Sequence, residues 1–324
     1  MRMEPGQESV RLVLATEAQR LARDFLTAEA WSAGLSPEGY LRREQRLRAL
    51  AIPRLRMRTW LLEDADGRVL SSCETFTFAS VLREGVAETW GHSFGVASVF
   101  TEPALRGRGH ATRMLDLLCK ALGEEAAAHA VVLYSDVGVS QYARSGFVPR
   151  PAFDWRWDAA ARGETSGAAL FTEETLSWRW AAHPVSAGRF VVHPTTDSFD
   201  WLLERERVYC TELGRPRPTA CGAALGSSLA LWYAQPKDGR LWLCWLDAEN
   251  AKSARALILA ARTAARDAGF SEVRLWEDVD GFPSPEGLEG GVRETRSGGL
   301  PMIRPLDSRV RPQDWRRSPR ALWV

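Results

Sequence analysis

Two hydrophobic periods alternate along this chain, short apolar runs and longer stretches with apolar residues three and four apart, and they separate strands from helices. Val10 to Ala15 is a short strand-like run, and helical spacing follows from Glu17 to about Ala30. Ser36-Pro37-Glu38 opens a second helix, with proline at the first helical position, where a missing N–H costs little. That helix carries Tyr40, Leu41, Leu47 and Leu50 among arginines. Met57 to Leu62 and Val69 to Phe78 read as strands joined by the turn Asp64-Ala65-Asp66-Gly67, and Gly95 to Phe100 as the next strand. After a glycine-bearing loop, Ala111, Met114, Leu115, Leu118 and Leu122 form one apolar helix stripe, which Gly123 stops. Ala130 to Tyr134 is a buried strand, Ser140 to Arg144 a short helix ended by Gly146, and a strand begins at Phe147. The order β-α-α-β-β-β-α-β-α-β departs from a doubly wound parallel sheet and predicts an α/β (α+β) fold with a mixed sheet.

The pattern weakens between Asp158 and Val185, so residues 161–186 are expected to join a first domain, 1–160, to a second, 187–324. The second half repeats part of the first. Leu241 to Leu246 is a strand, Ala251 to about Ala268 a helix, Gly269 its stop, and Val273 to Trp276 the next strand. In this copy Asp247-Ala248-Glu249-Asn250 stands where the first has glycines and arginines, and its acidic side chains repel phosphate. Asp154-Trp155-Arg156-Trp157 alternates as a half-buried strand with both indoles on one face. Trp242 and Trp245 are expected as core or interface anchors; Trp178-Arg179-Trp180 is either a strand or a segment packed across the junction.

Composition narrows the class. An apolar share of 45% and a charged share of 26% suit a soluble globular protein, and 324 residues suffice for two ordinary domains. The net charge of +1 gives no reason to expect a nucleic-acid or membrane partner. Of 42 basic side chains only Lys120, Lys237 and Lys252 are lysines, a skew that with abundant alanine points to a GC-rich genome rather than to a basic patch. Cys73, Cys119, Cys210, Cys221 and Cys244 are unclustered, without disulfide-framework or zinc spacing, so no metal is expected. The polar start Met1 to Gln7 lacks a signal-peptide apolar region, and no segment approaches the roughly 20 apolar residues a membrane helix needs. A reduced, cytoplasmic protein is the expectation; the oligomeric state is left open.

The most informative segment runs from Val96 to Thr112. Its apolar strand ends in Val99-Phe100-Thr101, and Pro103, by fixing φ, shapes the loop that follows. Arg106-Gly107-Arg108-Gly109-His110-Ala111-Thr112 then opens a helix. Glycines permit torsions and close approach that a Cβ obstructs, and successive N–H groups at a helix start hold phosphate oxygens, with Arg106 and Arg108 as charge partners. His110 is a partly exposed loop residue that could also meet a phosphate.

Arg106-x-x-Gly109-x-Ala111 after this strand resembles the acetyl-CoA loop of the GNAT superfamily of N-acetyltransferases, and Tyr142-Ala143-Arg144-Ser145-Gly146-Phe147 looks like that family's tyrosine-bearing helix and its exit. Ser71-Ser72-Cys73-Glu74, Ala97 to Thr101 and Leu133-Tyr134-Ser135-Asp136-Val137-Gly138 are similar to fungal lysine N-acetyltransferases. The resemblance covers about residues 70 to 150. It implies a GNAT fold with a mixed, mostly antiparallel sheet, followed by a degenerate GNAT-like domain that closes the acceptor pocket. It also implies acetyl-CoA as cosubstrate and direct attack by a primary amine on the thioester, with the side-chain amine of free L-lysine as the leading acceptor. Peptide, protein or antibiotic amines are the alternatives, and a non-catalytic CoA-binding regulator is the rival class.

Direct attack needs a neutral amine and a protonated leaving thiolate. By resemblance Tyr142 is the general acid, the alternative being a tyrosine that packs on the cofactor or the core. Glu74 and Asp136 are candidates to take the amine proton or to bind a cationic acceptor, with Glu102 a solvated third. The backbone N–H groups near Phe100 and Thr101 are candidates to hold the thioester oxyanion.

Overall fold

The computed structural model describes residues 9–161, 163–181, 188–277 and 288–323. Met1 to Gln7, Arg162 and residues 182–186 of the expected junction lie outside the described residues. The chain opens with strand β1 (Arg11–Leu14), helices α1 (Glu17–Trp31), α2 (Pro37–Arg48) and α3 (Ala51–Arg56), and strands β2 (Met57–Glu63), β3 (Val69–Glu84) and β4 (Ala87–Phe100). Next come α4 (His110–Gly123), β5 (Ala128–Ser135), α5 (Ser140–Ala143), β6 (Val148–Pro149) and β7 (Phe153–Asp158). The remainder contains β8 (Ala169–Phe171), α6 (Glu173–Ala181), β9 (Phe190–His193), α7 (Thr196–Glu212), β10 (Gly222–Leu225) and β11 (Ser228–Gln235). It ends with β12 (Arg240–Asp247), α8 (Ala251–Asp267), β13 (Glu272–Trp276), β14 (Val292–Thr295) and β15 (Leu300–Pro305).

Local chemistry sets several of these boundaries. Thr16 and Gln19 form a reciprocal capping box at the start of α1, and the Ser36 hydroxyl accepts the Gly39 N–H at 3.0 Å at the start of α2. Strands β3 and β4 reach well beyond the expected Val69–Phe78 and Gly95–Phe100, as a long hairpin turned at Gly85, whose φ is 62°. The extension escaped the pattern because its other partner is remote: Ala79 to Leu82 pair with His193 to Phe190 of β9. Trp178-Arg179-Trp180 is helical, in α6, and not a strand. Trp180 packs edge-on against Phe199 and Trp245, whereas Trp178 is exposed.

Two mixed sheets result. One has the order β1-β2-β3-β4-β5-β15-β6, with β9 paired to β3; the other has the order β14-β7-β13-β12-β11-β10-β8. Strand pairing is antiparallel except at β4/β5 and β12/β13. Sheet membership crosses the chain's midpoint. Strand β15 lies between β5 and β6, while β7 lies between β13 and β14. Each sheet therefore takes a strand from the other half of the chain, which ties the two sheets together.

Alternation along each central strand fills two cores. Val131 and Leu133 pack with Met114, Leu115, Leu118 and Leu122 of α4, while Ala130 and Val132 join a core that also holds Phe76, Trp242, Trp276 and Trp315. Burial on both faces explains the continuous apolar run. In the second sheet Leu241 and Leu243 pack with Leu257, Ile258 and Ala261 of α8, whereas Trp242 and Cys244 face the shared core. Each fully buried leucine here contributes roughly 1.5–3 kcal/mol through apolar surface removed from water.

Candidate active site

The feature that creates a site is the parting of β4 and β5. Their parallel ladder runs from His92/Ala128 to Val96/Leu133 and ends there, although β4 continues to Phe100. Beyond that point β5 stays paired with β15 through Tyr134/Pro301 and Ser135/Leu300, and β4 stays with β3. One extra residue bulges β4 between Ala97, opposite Glu74, and Phe100, opposite Ser72; within the bulge Ser98 has φ 54°. Bulges leave ladder groups unpaired and bend the strand. The β5-facing edge of β4 from Ala97 to Phe100 is thus open for a ligand's amides and carbonyl.

The loop after Thr101 makes a 3-10 turn at Pro103–Leu105 and reaches α4 through Gly107 (φ 78°) and Gly109 (φ 79°). A Cβ at either glycine meets no atom within 4 Å, so here the torsion, not crowding, demands glycine. Gly109 is the N-cap of α4, which has no side-chain cap and no acidic residue in its first turn. Its first N–H groups therefore remain available to an anion. Arg106 and Arg108 are exposed: Arg106 Nε donates to the Thr101 carbonyl at 2.9 Å, and Arg108 Nη2 to the Ala104 carbonyl at 3.4 Å. His110 and Ala111 are half-buried at the helix start. Thr112 links this end to the next element, because its carbonyl accepts from Ser145 Oγ at 3.3 Å and its hydroxyl from Gln141 at 3.5 Å.

Tyr142, Glu74, Asp136 and Val99 line one cavity of about 670 Å³. Tyr142 stands edge-on to Phe147, with ring centroids 6.2 Å apart. Burial, reinforced by Asp136 and Cys73, pushes its phenol up to about 12, so the group keeps its proton at neutral pH. Glu74 is buried, and its Oε1 accepts from Arg23 Nη1 at 3.1 Å with Arg48 Nη2 at 3.5 Å. Arg23 also donates to Ser72 Oγ and to the Ser98 carbonyl at the bulge. Asp136 is exposed toward the cavity, and its Oδ1 accepts the Gly299 N–H at 2.7 Å. Glu102 sits half-buried at the loop start and is not among the residues lining the cavity.

The far wall belongs to the second sheet and its helix: Trp201 and Arg205 of α7, Tyr233 of β11, Trp242 of β12 and Trp276 of β13, with Arg320 and Trp323 beyond β15. Arg23, Arg48, Arg205 and Arg320 escaped the sequence reading. Each is one arginine among many, in a segment without a motif, and only packing brings them to one cavity.

The fold is GNAT-like, with two mixed sheets in one chain. It is similar to a probable N-acyltransferase from Enterococcus faecalis V583, with TM-score 0.59, 13% identity, and coverage of 92% of this chain and 73% of that one. It is similar, too, to a GCN5-related N-acetyltransferase from Kribbella flavida (TM-score 0.55, 18% identity, 93% and 72% coverage) and to Eis1 from Mycobacterium abscessus (TM-score 0.56, 12% identity, 92% and 74% coverage). Within the chain, residues 172–284 match the family model of the LYC1 GNAT-like C-terminal domain. No curated protein matches this sequence.

Proposed function

We propose that this protein is an acetyl-CoA-dependent N-acetyltransferase in which a primary amine attacks the thioester directly. Residues 1–160 supply the donor site, and 187–324 close the acceptor cavity. The observation that carries this reading is the coincidence, at one place, of the β4/β5 parting, an uncapped glycine-led helix N-terminus and a protonated tyrosine. Gly107, Arg108, Gly109, His110, Ala111 and Thr112 are suited to a pyrophosphate through backbone N–H groups, with Arg106 and Arg108 adding charge at the rim. Val99, Phe100 and Thr101 offer the open strand edge to the acyl-bearing arm, where a backbone N–H can face the carbonyl oxygen.

Acetyl-CoA supplies an activated carbonyl and a thiol leaving group. Tyr142 holds the proton needed at the sulfur. Its phenol is a weaker acid than an ordinary thiol, at about 8.5, so it acts best as a hydrogen-bond donor to sulfur as the C–S bond breaks. Asp136, less encumbered than Glu74, is the better placed of the two to draw a proton from the incoming ammonium. Glu74, held by two guanidinium groups, is better suited to fixing the bulge through Arg23. Free L-lysine is the acceptor we place first, because the strand end Tyr134-Ser135-Asp136 is similar to fungal lysine N-acetyltransferases.

Calorimetry with CoA followed by turnover of lysine and an amine panel tests the proposal. CoA binding with acetyl transfer is expected. Binding with no transfer to any amine would favour a CoA-binding regulator, and absence of binding would overturn the donor site itself.

A further inference from the structure

Nine cationic side chains and only five carboxylates line the cavity. Most of the cations are matched inside the protein. Arg23 and Arg48 share Glu74, Arg43 has Glu44, Arg240 and Arg274 have Glu272, and Arg296 has Asp154. Lys237 is exposed to solvent, whereas Arg205 and Arg320 are withdrawn from it and differ from the rest. Arg205 lines the cavity with no hydrogen bond or ion pair to any described residue; its guanidinium rests over the Trp323 ring, 4.4 Å from the centroid. Arg320 is buried, and its Nε and Nη2 donate only to neutral groups, the Tyr233 hydroxyl at 2.5 Å and the Gln235 amide oxygen at 3.1 Å. It stands over the same Trp323 ring at 4.5 Å and over Trp242 at 4.0 Å. The two acids adjacent in sequence are engaged elsewhere: Glu204 by Arg46 and Arg207, Glu206 by Arg217 and the Ala234 N–H.

A guanidinium withdrawn from bulk water without a counter-charge is costly, and an arriving anion offsets that cost. Burial, and next the neighbouring Arg43, hold Arg205 below the ordinary arginine range, which marks the same missing charge. Tyr233 and Gln235 fix the direction of Arg320, and the indole of Trp323 holds both guanidinium groups at the cavity wall. Such a fork suits an oxyanion.

We infer that Arg205 and Arg320 form a subsite for an oxyanion carried by the acceptor, so that the amine substrate also bears a carboxylate or a phosphate. This rests on the acetyltransferase reading given above and narrows it. An amino acid carries both groups such a cavity asks for, a carboxylate for the arginines and an amine for Asp136. Polyamines and polycationic antibiotics do not, and the wall's excess positive charge repels them.

The test compares acceptors that differ only in the anionic group: L-lysine against cadaverine, and an amino sugar phosphate against the free amino sugar. The unaltered protein is expected to favour an anionic member by about 10-fold or more in kcat/KM. Arg205→Met should raise KM for that member about 10- to 100-fold, leave acetyl-CoA affinity unchanged, leave KM for cadaverine no higher than before, and be partly rescued in Arg205→Lys. The pair that shows the effect tells carboxylate from phosphate. Equal use of both members of each pair, or an equal loss on every acceptor in Arg205→Met, would overturn the subsite. If no amine is turned over, quenching of the cavity indoles by L-lysine and by inorganic phosphate decides the matter separately. Binding that disappears in Arg205→Met upholds the subsite, and no binding of either overturns it, while CoA calorimetry alone judges the donor site.

Discussion

The β4–α4–β5 and β12–α8–β13 units share a frame and differ at one helix end. In both, a parallel pair stops short of the first strand's end, at Val96/Leu133 and at Leu243/Leu275. Both first strands carry a bulge, around Ser98 and at Cys244. The helix starts are opposites. Gly109 leaves the N-terminus of α4 bare, whereas Asn250 caps α8 by accepting the Ser253 N–H at 2.9 Å, and Ser228 Oγ accepts the Glu249 N–H at 3.0 Å. The second strand end is also occupied, because Arg317 donates to the Leu246 carbonyl and lies over Trp245 at 4.1 Å. Acidic residues were expected to disable this copy by repulsion. The structure adds a more direct reason: the Ser253 and Glu249 N–H groups at this end already have side-chain partners. A side-chain cap thus competes with any anion at this helix end, without changing the fold.

The comparison breaks if the two units can be separated or exchanged. The severest test is truncation after residue 160. This removes β15 from between β5 and β6, and the shortened chain is expected not to fold cooperatively, as circular dichroism melting would reveal. Gly109→Glu places a Cβ at positive φ and a carboxylate at the anion site, so CoA affinity should fall by about 100-fold or more in calorimetry. Unchanged affinity would refute the assignment of the loop. Tyr142→Phe should reduce kcat by about 100-fold and leave CoA binding intact, which separates a proton donor from a packing residue.

Two smaller effects probe the second unit. Burial pushes Glu206 up to about 7 from an ordinary 4.5, so the folded state holds this proton more tightly than the unfolded chain. Its contribution is present below about 4.5 and is lost as pH rises toward 7, on the order of 3 kcal/mol. Urea titrations at several pH values should show Glu206→Gln lacking this loss relative to the unaltered protein. Asn250→Ala should cost about 1 kcal/mol through the lost cap, with no change in CoA affinity. A change in affinity there would mean that the second helix end also meets the donor.

The legible parts of the site were those held within one short segment. The loop from Arg106 to Thr112 is contiguous, and its glycines announce their torsions. The Tyr142 turn is equally local, since Gly146, at φ 75°, ends it and Phe147 packs on the ring. Strands whose partners are distant were harder. Strand β15 contains Pro301 and Pro305, which argue against a central strand, yet it sits between β5 and β6. Helix α7 was missed because buried Glu204 and Glu206 interrupt its apolar stripe, and besides Arg207 in the helix itself the arginines that pair with them lie elsewhere in the chain: Arg46 for Glu204, Arg217 for Glu206.

Sequence alone determined the two β-α-β units and their helix stops, and it singled out the glycine loop from Arg106 to Thr112 as a candidate for phosphate, because period, glycine torsion and capping act over a few residues. Tertiary structure decided the exchange of strands between sheets, the shared cavity and the charge on its walls. Whether an arginine is a solvated surface charge, a partner for Glu74 or an unmatched cation such as Arg205 depends on which carboxylates come within about 4 Å of it. No local pattern records that distance.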